Sequence, residues 1–226
     1  MLSTKRFFTI SVIAIGLAVP GGCGLETDQP AASGPGYTEA VQLRAESVSK
    51  VHEWRTLAEV VRSPQRFGVE RLVVGRITDV RPDAGLKVNE SPKPGETDGL
   101  VIAFDDRAAA WQTLEVDVQV DEVLFGAKDA QPTITIGLVT YPEVSLEAAR
   151  SDLIGLGRVV VPVIGSVPVF EHNPSLSPVL DDGELIAAIG DDGGLSLPFK
   201  GDESKSILAD ASTLQAVRQL TGESTP

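Results

Sequence analysis

The chain has no second cysteine to pair with Cys23. No intramolecular disulfide can form, so the domain must be held by its apolar core alone. Histidines are two, His52 and His172. A zinc site needs three or four nitrogen, sulfur or oxygen ligands, and none converge in the sequence. Phe, Trp and Tyr make up only 5% of the chain, which withholds the stacked rings that grip single-stranded nucleic acid. Positive charge is also short, with 19 Lys and Arg against 32 Asp and Glu and a formal charge of −13. Such a chain is repelled by phosphate backbones, so nucleic acid is excluded as a partner. Anionic headgroups repel it too, which makes a covalent anchor more useful than surface adsorption. The acidity itself reads as a solvated surface.

Long apolar runs are missing as well. The uncharged, mostly apolar run near the N-terminus, Phe7 to Val19, falls short of the roughly 20 apolar residues that span a bilayer. It does suit the core of a signal peptide, preceded by Lys5 and Arg6 and followed by the helix-breaking Pro20-Gly21-Gly22. The stretch ending at Cys23 resembles the bacterial lipoprotein cleavage box. Gly21 and Gly22 match its small positions, and Pro20 stands where leucine is usual. The resemblance implies that diacylglycerol is attached to the Cys23 thiol and that Cys23 becomes the mature N-terminus. Two acyl chains give stable anchoring, at about 0.8 kcal/mol per buried methylene. The expected address is the extracytoplasmic face of the cell membrane, with the membrane as partner through lipid on Cys23. Ordinary secretion after cleavage at Ala18, with Gly16 at the other small position, is the alternative.

Four segments follow from this reading. Residues 1–22 are the lipoprotein-type signal peptide. Residues 23–38 carry the lipid-bearing Cys23 and a flexible tether, with Gly24 to Tyr37 rich in Gly, Pro, Ser and Ala. Residues 39–66 form an N-terminal helical segment. Within it Thr56 to Glu59 fits a capping box, Leu57, Val60 and Val61 share a face, and Ser63-Pro64 ends the run. Residues 67–222 form a β-barrel-like domain with a C-terminal helix.

Periodicity places the strands. Arg71 to Val80 is rich in β-branched residues, with Gly75 marking a bulge or a close approach. Lys87 to Gly99 reads as a polar loop and Leu100 to Phe104 as a short strand. From Thr113 to Asp121, Leu114, Val116, Val118 and Val120 alternate with polar residues, the signature of one buried and one wet face. Pro132 to Tyr141 sets Ile134, Ile136 and Leu138 on one side. Ser145 to Arg150 reads as a helical turn. Arg158 to Ile164 carries Pro162, which points to an edge or bulge there, and Val167 to Phe170 continues it. Glu184 to Ile189 and Gly194 to Phe199 are joined by Gly190-Asp191-Asp192-Gly193, a hairpin signal. Ser212 to Gln215 opens a last helix with Leu214, Val217 and Leu220 inward and Gly222 at its end.

The strands Val73–Val80, Leu114–Gly126, "PTITIGLV" and Gly157–Gly165 resemble a group of exported actinobacterial lipoproteins. Their rhythm is similar to that of netrin-like or tissue-inhibitor-type domains. The resemblance covers about Leu72 to Phe199 and implies a small OB-like five-stranded β-barrel. It carries no inhibitory residues over, because those inhibitors depend on disulfides and a free N-terminal cysteine. The expected fold is therefore mainly β, an OB-like barrel with a helix before it and a short helix after it. A β-sandwich is the alternative, since both give short strands at similar spacing.

Catalytic patterns are missing or incomplete. His52-Glu53-Trp54-Arg55-Thr56 begins like a zincin helix but has Thr56 where the second histidine belongs. His172 lies in a loop where Glu171 or Asp181 could accompany it. No Gly-x-Ser-x-Gly elbow occurs, and Gly165-Ser166 reads as a strand junction. Gly155 to Val160 lacks the third glycine of a dinucleotide fingerprint and precedes a strand. Acidic groups cluster at Asp181-Asp182-Gly183-Glu184, at Asp191-Asp192 and at Asp105-Asp106. Turn chemistry accounts for them, and a weak calcium site or a glycosidase-type carboxylate pair are the alternatives. The expectation is a membrane-anchored module without catalytic residues, cofactor or metal, binding an envelope protein, peptide or glycan. An envelope hydrolase using acidic residues, or an accessory subunit of a membrane complex, are the rivals.

Overall fold

A computed structural model of the chain describes residues 36–48, 55–88, 99–128 and 131–223. The expected signal segment, Cys23, most of the tether, His52 and the centre of the Lys87–Gly99 loop lie outside the described residues. The chain is mainly β. Its strands are β1 (Val69–Val88), β2 (Gly99–Ile102), β3 (Trp111–Phe125), β4 (Thr133–Thr140), β5 (Arg158–Ile164), β6 (Ser177–Pro178), β7 (Ala187–Ile189) and β8 (Leu195–Ser196). The helices are α1 (Tyr37–Val48), α2 (Leu57–Arg62), α3 (Leu146–Gly155), α4 (Asp202–Leu208) and α5 (Leu214–Glu223). None of them is long and apolar enough to cross a membrane.

The alternation read in Thr113–Asp121 is the middle of β3. Leu114, Val116 and Val118 are fully covered, and each such side chain contributes about 1.5–3 kcal/mol relative to exposure. Ile134, Ile136 and Leu138 of β4 lie opposite them in register. In β1 the run Leu72-Val73-Val74 is buried on both faces, as in a strand covered on both sides. The core is continuous and takes in Leu57, Val60 and Val61 of α2 together with Leu214, Val217 and Leu220 of α5.

The strands form one sheet in the order β6-β4-β3-β1-β5-β7-β8, with β2 paired to β1. Its ladders do not close into a barrel, and among the described residues there is no second sheet to make a sandwich. All pairings are antiparallel except β4 with β6. One isolated bridge joins Val163 of β5 to Val179, next to β6. The strand that serves several partners is β1, which pairs with β2, β3 and β5 and shifts register against β3 four times. One shift falls at Val74/Gly75. A Cβ on Gly75 would lie 2.4 Å from the Gln119 carbonyl oxygen, so the close approach read there is real.

Local signals held where they rest on paired groups. Glu59 N–H donates to Thr56 Oγ1 at 3.1 Å and Thr56 N–H donates to Glu59 Oε2 at 3.0 Å, completing the capping box. The Gly190–Gly193 turn joins β7 to β8. Other elements differ from expectation. Tyr37 is no part of a free tether: it opens α1 and is 1% exposed. The turn at Ser145 grows into α3, capped by the Ser145 hydroxyl. Val167–Phe170 is not strand. Pro168 lacks a ladder donor, and Pro168–Phe170 winds into a 3-10 turn. Glu184 precedes β7 and follows another such turn, Leu180–Gly183. Helix α4 carries no start signal in the sequence, because its N-cap is Gly201, with no capping side chain to mark it.

Candidate functional site

The most connected polar cluster lies at a bulge in β1. Pro82 pairs with Leu114 and Gly85 with Gln112, so Asp83 and Ala84 together oppose Thr113 alone. A bulge of this kind leaves backbone groups without ladder partners. The Thr113 hydroxyl lies 3.1 Å from both the N–H and the carbonyl oxygen of Ala84, accepting from the first. It also lies 2.7 Å from Asp83 Oδ2, so its proton is offered to that carboxylate or to the Ala84 carbonyl.

Asp83 then draws in the segment between β5 and β6. His172 Nε2 lies 2.8 Å from Asp83 Oδ2, and Asn173 Nδ2 donates to Asp83 Oδ1 at 2.9 Å. The two side chains of the His–Asp pair are 15% and 9% exposed. Burial pushes the Asp83 carboxyl up, but hydrogen bonds from Asn173, Thr113 and His172 outweigh it and hold the group below the usual aspartate range. An ionised Asp83 only accepts, so the hydrogen between the two residues sits on His172 Nε2.

The cluster continues across the outer face of the sheet. Asn173 Nδ2 reaches Glu115 Oε1 at 3.0 Å, and the Ser175 hydroxyl donates to Asn173 Oδ1 at 2.5 Å. Glu115 Oε2 accepts from Arg81 Nε at 3.2 Å. Arg81 meets both oxygens of Asp117, at 2.6 and 3.0 Å, and Asp79 at 2.9 Å. Thr135 on β4 donates to Asp117 at 2.8 Å, and Arg150 on α3 donates to Asp79 at 2.6 Å. The Arg81 hydrogen bond holds Asp117 and Asp79 below their usual range, while Asp117 and Asp79 raise Arg81. These groups point the same way because Asp79, Arg81, Glu115 and Asp117 are the outward positions of two strands in register.

The arrangement orients donors and acceptors, and its histidine is turned to that work. In a Ser-His-Asp site it is Nε2 that takes the hydroxyl proton. Here Nε2 faces the carboxylate, and the Ser175 hydroxyl faces Asn173. The acid that meets His172 is Asp83, not Glu171 or Asp181.

The acidic clusters singled out in the sequence are mostly turns. Asp181 takes a left-handed φ of 52° and pairs with Arg55 at 2.8 Å. Asp192 Oδ1 accepts from Gly194 N–H at 2.8 Å, and Asp106 Oδ1 accepts from Ala108 N–H at 2.8 Å. Glu184 is buried beside Tyr37, Thr140 and Tyr141. Among the described residues no group of three or more His, Cys, Asp or Glu is placed to hold a metal ion. Gly165-Ser166 follows the end of β5, and Gly155 to Val160 runs from the last residue of α3 through a turn, with Gly157 at φ 67°, into β5. Cys23 and His52 lie outside the described residues. No family model, no curated protein and no solved structure matches the chain.

Proposed function

We propose that this protein is a lipid-anchored, extracytoplasmic binding module without catalytic residues, and that it binds through the outer face of β1, β3 and β4. The observation that carries the reading is the continuous array from Asp79 to His172, whose charged groups are oriented by one another. A fixed, donor-and-acceptor-rich surface gives specificity for a partner more than raw affinity. The excess of carboxylates favours a basic envelope protein or peptide over a glycan, and disfavours nucleic acid. The anchor rests on Cys23 and the signal-like segment before it.

The OB-like architecture belongs to the same proposal. Strand β4 runs parallel to β6, α3 falls between β4 and β5, and Val163 bridges to Val179. These features support a ring of β1, β3, β4, β6 and β5. In OB-folds the second and third strands and the flanking loops form the binding face. Here those strands would be β3 and β4, flanked by 103–110 and 165–176.

Two measurements test the proposal. Mass spectrometry of the protein from the membrane fraction is expected to find diacylglyceryl-modified Cys23 as the first residue; full-length chain with a bare thiol in the cytosol would refute the anchor. Pull-down from detergent extract with wild type and with Glu115→Lys/Asp117→Lys tests the face. Specific partners that the variant still recovers equally would place binding elsewhere.

A further inference from the structure

The segment 165–176 crosses the outer face of the sheet, and its attachment there is unusual. Its backbone hydrogen bonds between Val167 and Leu176 close turns within the segment: Phe170 N–H to Val167, Asn173 N–H to Phe170 and Leu176 N–H to Asn173. The nearest backbone tie to the rest of the fold is at its start, from Gly165 N–H to the Gly68 carbonyl at 3.3 Å. Side chains therefore hold the middle of the segment down. The polar ones are His172 and Asn173, which converge on Asp83, with Asn173 reaching on to Glu115. Phe170 adds an apolar contact, its ring packed on β4 where Gly137 leaves room: a Cβ there would lie 2.5 Å from the ring.

Phe170 and Leu176 are buried, yet neither belongs to the continuous core, and neither does Ala84 beneath the latch. Satellite clusters under a loop, lacking ladder bonds, are where a native protein opens locally before it unfolds globally. We propose that 165–176 is a hinged strap, latched by His172 and Asn173 on Asp83 and by Phe170 on Gly137, and that its release uncovers the outer face of β3 and β4. The hinges are Gly165 at one end and the short β6 pairing of Ser177 and Pro178 at the other. Lifting the strap frees acceptors on Asp83 and Glu115 and bares the Gly137 strip. The strap thus gates the face assigned above to binding, and in that sense the inference rests on that reading.

Hydrogen exchange of the full chain, read by mass spectrometry at peptide resolution, tests the motion. Two variants act on the two latches separately: Asp83→Asn removes the charge and turns one of the two acceptor oxygens into an NH2 donor, and Gly137→Ala pushes on the Phe170 ring. Each is expected to raise exchange of amides in 166–176 by about tenfold or more, the scale of a lost charge-assisted hydrogen bond for Asp83→Asn and of an overpacked side chain for Gly137→Ala. Amides of β3, β5 and α3 should stay better protected than the strap in every variant, and theirs alone should respond steeply to low urea. Unchanged strap exchange in both variants would overturn the proposal, and so would strap amides that match the core in both exchange rate and urea dependence. Should Asp83→Asn fail to fold, Gly137→Ala and Asn173→Ala decide alone. A strap that opens in variants which capture no partner leaves the gate standing and removes the binding assignment.

Discussion

Thr113 is the side chain whose loss reads most directly on this account. It is fully buried and replaces, with one hydroxyl, the ladder partners that the bulge takes from Ala84. Thr113→Val keeps the shape and deletes the hydroxyl. Ala84 is itself buried, so its N–H would be left without an acceptor, a penalty of about 1–3 kcal/mol. The lost hydrogen bond to the Asp83 carboxylate adds to this, since bonds to charged groups contribute about 1.5–3 kcal/mol. The two bonds meet at one oxygen and are removed by one change, so they are not additive, and the expected loss is about 2–4 kcal/mol rather than their full sum. A domain of this size drops about 2–4 °C per kcal/mol, so melting should fall by about 4–16 °C. Urea titration followed by circular dichroism gives the free-energy difference at constant slope. Thr113→Ser restores the hydroxyl and should recover most of it. A Thr113→Val variant within about 0.5 kcal/mol of wild type, the scatter of indifferent sites, would refute the assignment of this hydroxyl as the partner of the bulge.

Three further outcomes are expected. Thr56→Ala removes the capping hydroxyl of α2 and should cost about 1 kcal/mol in the same titration. Gly75→Ala drives a Cβ onto the Gln119 carbonyl, a backbone atom that cannot swing aside, and should cost about 1–3 kcal/mol or prevent folding. Asp79, Asp83 and Asp117 all have native pKa values below the ordinary one, so their stabilisation is complete above the unfolded aspartate value. The urea midpoint should hold from neutrality down to about pH 5, then fall as the unfolded chain takes up protons first. Asp117→Asn should make that decline shallower, and an identical pH profile would count against the Arg81–Asp117 pairing.

What the sequence disclosed depended on whether the signal was local. Leu114, Val116 and Val118 alternate within one strand, and Thr56 and Glu59 cap one helix, so both were legible. The same holds for the Gly190–Gly193 hairpin. The site was not. Asp83 stands in Arg81-Pro82-Asp83-Ala84-Gly85, which reads as turn chemistry, and its partners Thr113, His172 and Asn173 are remote in the chain. Only the pairing of β1 with β3 and the crossing of 165–176 bring them together. The extension of β1 through Pro82 to Val88 was hidden for a related reason. Proline argues against a central strand, and the bulge that admits Asp83 and Ala84 follows immediately after it.

The breadth of β1 has a consequence for how the molecule is made. Val69 finds its partner only when Ile164 arrives, and Leu72 needs both Phe125 and Pro162. Early in synthesis, then, the stretch from Leu72 to Val74 is water-exposed on two sides with no neighbour to cover it. Contacts so distant along the chain make assembly slow, and slow assembly prolongs the interval in which such stretches meet those of other molecules. Refolding yield from denaturant should therefore fall steeply as protein concentration rises, well before any loss of native stability is seen.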